Sequence, residues 1–341
     1  MNSESGPLAA PSAMGPTDLM SLIRSLRLDQ FPRYARRLLG LPAARPEDFS
    51  VPLTDWERSR LQEIARAVRG PNPKPAVFVH GVLPRSGTNF LSDALELHAD
   101  LCAHPGRLWE FPLLYVAPGA SALQREFVQM FKRNNEVMGR FDMLAFLASG
   151  WMAALQQEAG DRRILLKCPH VQHINLFRHI FPDDILLLCL RDGRDIVQSS
   201  KGTFRRGLIG RKVTSELMRE WRYATDAILS FEPGGQNAYG NVMVIRYEAL
   251  VEQPKEVIGQ ALAHAGLEPE RYDFEALSNL PVRGSSAVSA DDKSRWDQHE
   301  KPKDFKPVGR WSSWSERQRR QFKSLAGPTL IRAGYAADDS W

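Results

Sequence analysis

Cysteine is scarce in this chain. Its 341 residues hold only three, Cys102, Cys168 and Cys189, and these follow no metal-ligand spacing. An odd number without pairing excludes a disulfide framework and points to free thiols in a reducing compartment. Long apolar runs are missing too. After the N-terminus the longest, Ile185–Leu190, is far too short to span a bilayer. Residues 1–18 have neither a basic start nor an apolar stretch of signal-peptide length. These absences argue against integral membrane association and predict a soluble, cytoplasmic protein. No strong excess of one charge is present either. Lys and Arg number 45 against 40 Asp and Glu, a net charge of +5. The pI near 9.1 fits an anionic ligand, but the charge is too diffuse to imply nucleic acid. Internal repeats are lacking. What remains is ordinary globular composition, 43% hydrophobic and 25% charged.

The chain divides by pattern. Residues 1–16 are small and Pro/Gly-rich and read as a disordered leader. Residues 17–74 read as an N-terminal helical extension with a linker. In it, 17–39 carries Leu19, Ile23 and Leu26 at helical spacing before Pro32 interrupts. Thr54-Asp55-Trp56-Glu57 is a capping box that opens a helix through Leu61, Ile64 and Val68 to a stop at Gly70-Pro71. Residues 75–341 form the main domain. Strand-like runs at 76–82, 163–167, 184–190 and 241–246 alternate with helical stretches at 122–137, 143–158, 171–180, 195–204, 216–230 and 255–265. This alternation predicts an α/β fold, a parallel sheet with helices on both faces. Residues 279–310 are polar and poor in periodicity, as a functional lid would be. A last helix is expected from a capping box at Ser313-Trp314-Ser315-Glu316 to about Ala333.

The first strand runs into Leu83-Pro84-Arg85-Ser86-Gly87-Thr88-Asn89-Phe90 and then a helix. Such a turn offers backbone N–H groups and a helix N-terminus to an anion. Gly87 permits close backbone approach, and the hydroxyls of Ser86 and Thr88 can donate to phosphate oxygens. A nucleoside-triphosphate loop needs Lys directly before the Ser/Thr. Here Gly87 occupies that place and the cation, Arg85, comes earlier, which suits a 5′-phosphosulfate better. A plain strand-to-helix turn would explain Gly87 but not Arg85, Ser86 and Thr88 together. Further on, Arg191 stands at the C-terminal end of the strand 184–190, where open α/β sheets bind ligands. Ser199 follows eight positions later, close enough across a loop and a helical turn to share one phosphate with Arg191.

With both motifs in order, residues 76 to about 335 resemble the PAPS-dependent sulfotransferase superfamily (PAPS is 3′-phosphoadenosine 5′-phosphosulfate). In motif the likeness is to its bacterial and protein-tyrosine branches. The fold it implies is P-loop-like. The resemblance makes 85–90, including Asn89, the 5′-phosphosulfate loop, and makes Arg191 and Ser199 the 3′-phosphate pair. Lys167-Cys168-Pro169 resembles the Lys-x-Pro segment before the second strand. Arg246-Tyr247-Glu248 and Lys306-Pro307-Val308-Gly309-Arg310-Trp311 resemble further pieces, so Tyr247, Lys306 and Arg310 join the expected donor site. The family needs no metal, and the sequence holds no ligand cluster for one.

Sulfuryl transfer relies on electrostatic stabilisation, so cations must face the bridging oxygen. Arg85 is the first candidate. Lys167 is the second, unless it is a solvated strand-end lysine. Phe90 could lie against the adenine or simply face the core. The cytosolic small-molecule branch has His where this chain has Pro169, which shifts the search for a base to carboxylates. Glu110, among apolar Leu108, Trp109 and Phe111, is the first choice. His170 is next and His104 weaker. Trp109, Trp151 and Trp221 read as packing residues. The acceptor class, whether peptide tyrosine, saccharide, lipid or metabolite, is left open. The N-terminal helices could cover the acceptor site, mediate homodimerisation or merely pack. Competing readings are a kinase or NTPase with Asp192 as a magnesium-binding acid, and a nucleotide-binding module without catalysis.

Overall fold

The structure is a computed structural model that describes residues 44–203, 214–283, 298–302 and 305–341. The expected leader, the helix at 17–39 and the end of the stretch 195–204 lie outside the described residues. Five parallel strands form the sheet: β1 (Val77–Gly81), β2 (Leu101–Ala103), β3 (Arg163–Cys168), β4 (Ile185–Leu190) and β5 (Val242–Arg246), in the order β2-β3-β1-β4-β5. Every residue of β1 and β4 is buried. Both strands are apolar on successive residues, as a strand covered on two faces must be.

Alternation along each strand feeds two separate cores. Phe78, Ile164, Leu166, Leu186, Leu188 and Leu190 face one. Val77, Val79, Leu165, Leu187 and Cys189 face the other. On the first face lie α1 (Asp55–Arg69), α4 (Asp142–Ala159), α7 (Thr214–Leu229) and α11 (Glu316–Arg332); α3 (Ala117–Met130) packs against α4. The second face is covered by α2 (Thr88–Glu96) and α9 (Pro254–Ala265). The short α5 (Phe177–Ile180), α8 (Tyr247–Glu252) and α10 (Phe274–Ser278), and α6 (Gly193–Thr203) after β4, complete the helices among the described residues. A ribbon of β6 (Val282–Arg283) and β7 (Gln298–His299) lies outside the main sheet.

The α/β expectation holds, and so do the four expected strands to within about two residues. β2 was not foreseen: three residues are too few to show a period. The stretch 122–137 splits into α3, which starts earlier, and a 3-10 turn (Lys132–Glu136). Of 171–180 only Ile174–Leu176 and α5 are helical, because His173 takes a left-handed φ of 58°. The last helix is capped by Ser315 with Gln318, two residues beyond the expected box at Ser313.

Helix α1 begins at the expected box. Thr54 Oγ1 accepts from Glu57 N at 3.2 Å, and Glu57 Oε2 accepts from Thr54 N at 2.9 Å. Gly70, at φ +83°, ends it. The helix packs against α4 and belongs to one compact unit, 44–341, with the sheet. Arg69 closes a buried ion pair with Asp184, whose Oδ1 also accepts from Ala76 N at 2.7 Å at the start of β1. Glu57 has a second partner in Arg140, at 2.6 and 3.0 Å. The guanidinium, with the Thr54 hydrogen bonds, holds the Glu57 carboxyl at about 2, down from its ordinary 4.5. A depressed carboxyl stabilises the fold fully above its unfolded value and less as pH falls through the folded one. Arg140 is half exposed, so the pair contributes about 1 kcal/mol, less than the shift alone would imply. Glu57→Gln is therefore expected to lower the melting temperature at pH 7, with the gap from wild type closing between pH 4.5 and about 2. A gap that stays constant over that range would remove this account.

Candidate active site

After β1 the chain passes to β2 and β3 on one side, and after β3 it returns to β4 on the other. β1 and β4 therefore flank a topological switch point, with Gly81 paired to Cys189 at their C-terminal ends. Open α/β sheets bind ligands there. A cavity of about 240 Å³ lies at this point. Of the expected site residues, Arg85, Gly87, Thr88, Asn89, Phe90, Glu110, Arg191, Ser199, Tyr247 and Arg310 line it. Ser86, Lys167, His170 and Lys306 do not.

The loop leading into α2 is tightly determined. Gly87 has φ +97°, and a Cβ there would sit 2.1 Å from Tyr247 Cδ2, so only glycine admits the ring. Arg85 holds φ +81°, a left-handed conformation uncommon for a residue with a side chain. Strain of this kind collects at functional loops. Ser86 turns inward over Gly81 and is fully buried, and its Oγ has no partner. Thr88 opens α2 and lines the cavity, so a helix N-terminus, which favours an anion, stands at its wall.

Across the switch point Arg191 is 5% exposed. Its Nη1 donates to Arg85 O at 2.6 Å and its Nη2 to Pro307 O at 2.5 Å, while its guanidinium lies 4.3 Å from the Tyr247 ring centroid. The Nε of Arg191 is buried without a partner. Arg85 Nε donates to Ser199 Oγ at 3.1 Å. Two arginines and a serine from separate elements thus converge, and Arg85, expected beside the bridging oxygen, directs its side chain to Ser199.

The other end of the cavity is lined by charges of both signs. Lys167 is buried at the end of β3, and its Nζ donates to Asn89 Oδ1 at 2.5 Å. Burial pushes its pKa down, against the pull of Asp93 and Glu110. Glu110 is open to solvent on one side. Loss of water on the other raises its pKa, and Lys167 opposes the rise. The expectation of a carboxylate sheltered by its neighbours is only partly met. Phe111 is buried, but Trp109 is 63% exposed, ringed by His104 at 4.8 Å and the Arg283 guanidinium at 5.6 Å. Trp151 is also exposed, against Phe111 at 5.2 Å. Of the three tryptophans read as packing residues, only Trp221 is fully buried. His170 packs its ring on Tyr115 at 4.6 Å, and its carbonyl accepts from His80 Nδ1 at 2.7 Å.

Two residues of this end were missed. Asp93 lines the cavity one helical turn beyond Asn89, and its Oδ1 is buried without a partner. Its Oδ2 lies 3.5 Å from Arg283 Nε on β6. Burial raises the Asp93 pKa, while Arg283 and Lys167 hold it down. The i, i+4 spacing from Asn89 to Asp93 was readable as one helix face. Arg283 carried no signal, because the segment around it has no period.

Residues 305–310 complete the wall through Phe305, Pro307 and Arg310, and Lys306 is exposed. Parts of the expected lid, 284–297 and 303–304, lie outside the described residues. Asp192, the acid a magnesium nucleotide would need, is consumed. Its carboxylate accepts from Arg194 Nε at 3.0 and 3.1 Å and from Nη2 at 2.7 Å, and it does not line the cavity. Glu248 accepts from Asp192 N at 2.9 Å and from Tyr335 OH at 3.0 Å, so Arg246-Tyr247-Glu248 also ties α11 to the sheet. Among the described residues no group of three or more His, Cys, Asp or Glu is placed to hold a metal, and no helix is long and apolar enough to cross a membrane.

Residues 75–271 match the sequence profile of the Sulfotransferase family. The chain belongs to that family, whose members transfer sulfuryl groups, and it is a member of the PAPS-dependent sulfotransferase superfamily. It is 27% identical over 240 residues to nodulation protein NoeE of Sinorhizobium fredii, over 61% of this chain and 54% of that protein. The chain thus spans about half the length of that relative. The sulfotransferase domain of the Synechococcus PCC 7002 olefin synthase is 21% identical, with 76% of this chain and 95% of that domain covered at a TM-score of 0.48. Mouse sulfotransferase SULT7A1 complexed with PAP is 14% identical, with 81% and 90% covered at a TM-score of 0.43.

Proposed function

We propose that the chain moves the sulfuryl group of 3′-phosphoadenosine 5′-phosphosulfate to an acceptor hydroxyl, with adenosine 3′,5′-bisphosphate as the other product. The acceptor is a small molecule or a peptide. The observation that carries this reading is the convergence of Arg85, Arg191 and Ser199 on one end of the cavity. Two guanidiniums beside a hydroxyl match a phosphate dianion, and a donor without a 3′-phosphate leaves them unused. The loop 85–90, with its helix N-terminus, suits the 5′-phosphate. Phe90 and Tyr247 supply apolar surface for the adenine.

In the transfer the acceptor oxygen attacks sulfur as the bond from sulfur to the 5′-phosphate oxygen breaks, and the acceptor proton passes to a base. Negative charge grows on the leaving phosphate and is best met by fixed cations. Arg85, bonded to Ser199, belongs to the 3′-phosphate end, and the N–H groups of the loop 85–90 face the leaving 5′-phosphate. Lys167, held by Asn89 between Asp93 and Glu110, serves the sulfuryl end. Glu110 is the base, its proton affinity raised by loss of water.

The reading is tested by calorimetry with product nucleotides. Adenosine 3′,5′-bisphosphate is expected to bind in EDTA and to outcompete AMP. In Arg191→Ala its affinity should drop by about 10–150-fold, the loss of charge-assisted hydrogen bonds worth about 1.5–3 kcal/mol. Equal affinity for the two nucleotides, or a magnesium requirement, would overturn the proposal.

A further inference from the structure

A stack of side chains behind the cavity takes no part in the steps above. Arg194, in the first turn of α6, is 3% exposed and ion-paired to Asp192. Its guanidinium lies 3.7 Å from the Trp311 ring centroid and 4.5 Å from that of Trp341. The two indoles meet edge to face at 5.5 Å and 84°. Arg194 Nη2 also donates to Tyr335 O at 2.7 Å, which ties the end of α11 into the stack. Trp341 rests in turn on Phe322, at 6.0 Å, and Phe322 on Trp221, at 5.5 Å. The indole of Trp221 donates from Nε1 to Arg191 O at 3.0 Å. From Trp341 the stack therefore runs back to the arginine of the phosphate end.

The residue after Arg194 continues the connection. Asp195 is fully buried, and its carboxylate accepts from Gly309 N at 2.7 Å and Trp311 N at 3.1 Å. Arg191 holds Pro307 O. The backbone of 307–311 is thus bound at three points, once to Arg191 after β4 and twice to Asp195 in α6, and Arg310 within it lines the cavity. The Trp311 ring is held by Arg194 and Trp341, with the Arg319 guanidinium 5.2 Å from its centroid. A guanidinium between two indoles is held by attraction to both faces and by exclusion of water.

Given the donor site proposed above, we infer that Trp341 and Arg194 are positioning residues for the 3′-phosphate end: their stack on Trp311 holds 307–311 in place over Arg191, without touching donor or acceptor. Removing the Trp341 ring frees one face of Arg194 and takes away the edge-to-face partner of Trp311, which loosens that ring. The Asp195 hydrogen bonds to Gly309 and Trp311 then open more often, and Arg191 loses its fixed frame. The loss falls on the 3′-phosphate, not on the loop 85–90.

The test compares wild type with Trp341→Ala and Trp341→Phe by two measurements on the full chain. Calorimetry gives affinities for adenosine 3′,5′-bisphosphate and AMP. Hydrogen exchange gives the opening of the Gly309 and Trp311 amides without nucleotide. Trp341→Ala is expected to weaken the bisphosphate about tenfold and AMP less than about twofold, and to speed both amides about tenfold. Trp341→Phe should restore most of each. Equal weakening of both nucleotides, or amides at wild-type rates, overturns the inference. Should Trp341→Ala lack a cooperative melt, Arg194→Gln keeps the bulk without the cation and must show the same split. If wild type binds neither nucleotide, the donor reading falls, and the exchange rates still decide the strap.

Discussion

Replacing Lys167 by methionine is expected to lower turnover about 10²–10³-fold, the range for losing one fixed group that meets developing charge. Affinity for adenosine 3′,5′-bisphosphate should stay within about threefold, because charge at the sulfuryl end matters most in the transition state. Methionine keeps the length of the side chain and its apolar stem, so Asn89 loses a donor but the end of β3 keeps its packing. The pKa of Lys167 is pushed down by burial, and the reaction needs its ammonium form. Turnover in the wild type should therefore fall on the alkaline side at a pH below that of an ordinary lysine, and this limb should vanish in the variant. Steady-state rates across pH with saturating donor check both points. A Lys167→Met protein with normal turnover would remove Lys167 from the transfer step.

Glu110→Gln is expected to cut turnover at least about a hundredfold with donor affinity kept, the lower range for loss of a general base. Glu110 must be ionised to accept the proton, and its pKa is raised. Activity in the wild type is thus full above that raised value and lost as pH falls through it. The acid limb should flatten in the variant. His170→Asn should change the rate little, because its ring packs on Tyr115 away from the cavity wall. The competing carboxylate is Asp93. If Glu110→Gln retains the wild-type rate and acid limb while Asp93→Asn loses both, the base is Asp93.

Much of the fold was legible because its causes are local. The apolar runs of β1 and β4, the capping box at Thr54 and the stop at Gly70 act through the backbone and near neighbours, and each lies where the pattern put it. The cap at Ser315 was misread as Ser313 because two overlapping serine boxes satisfy the same local rule. The residues proposed for the phosphate end were picked out for the same reason. Arg85, Gly87 and Thr88 share one turn, and Arg191 and Ser199 share the junction of β4 and α6.

Tertiary structure alone decided how those pieces meet. The sequence determined the α/β frame and the two motifs proposed to bind anions on it. It did not determine that Arg85 would turn to Ser199, that Asp93 would face Arg283, or that Trp341 would cover Arg194. These pairs join distant parts of the chain, and their geometry follows from the strand order that brings β1 beside β4 and from the packing of α11 against α7. A side chain's local sequence sets its chemistry. Its partner is set by which buried charge or ring the folded backbone leaves within reach, since an unpaired charge in the interior is too costly to persist.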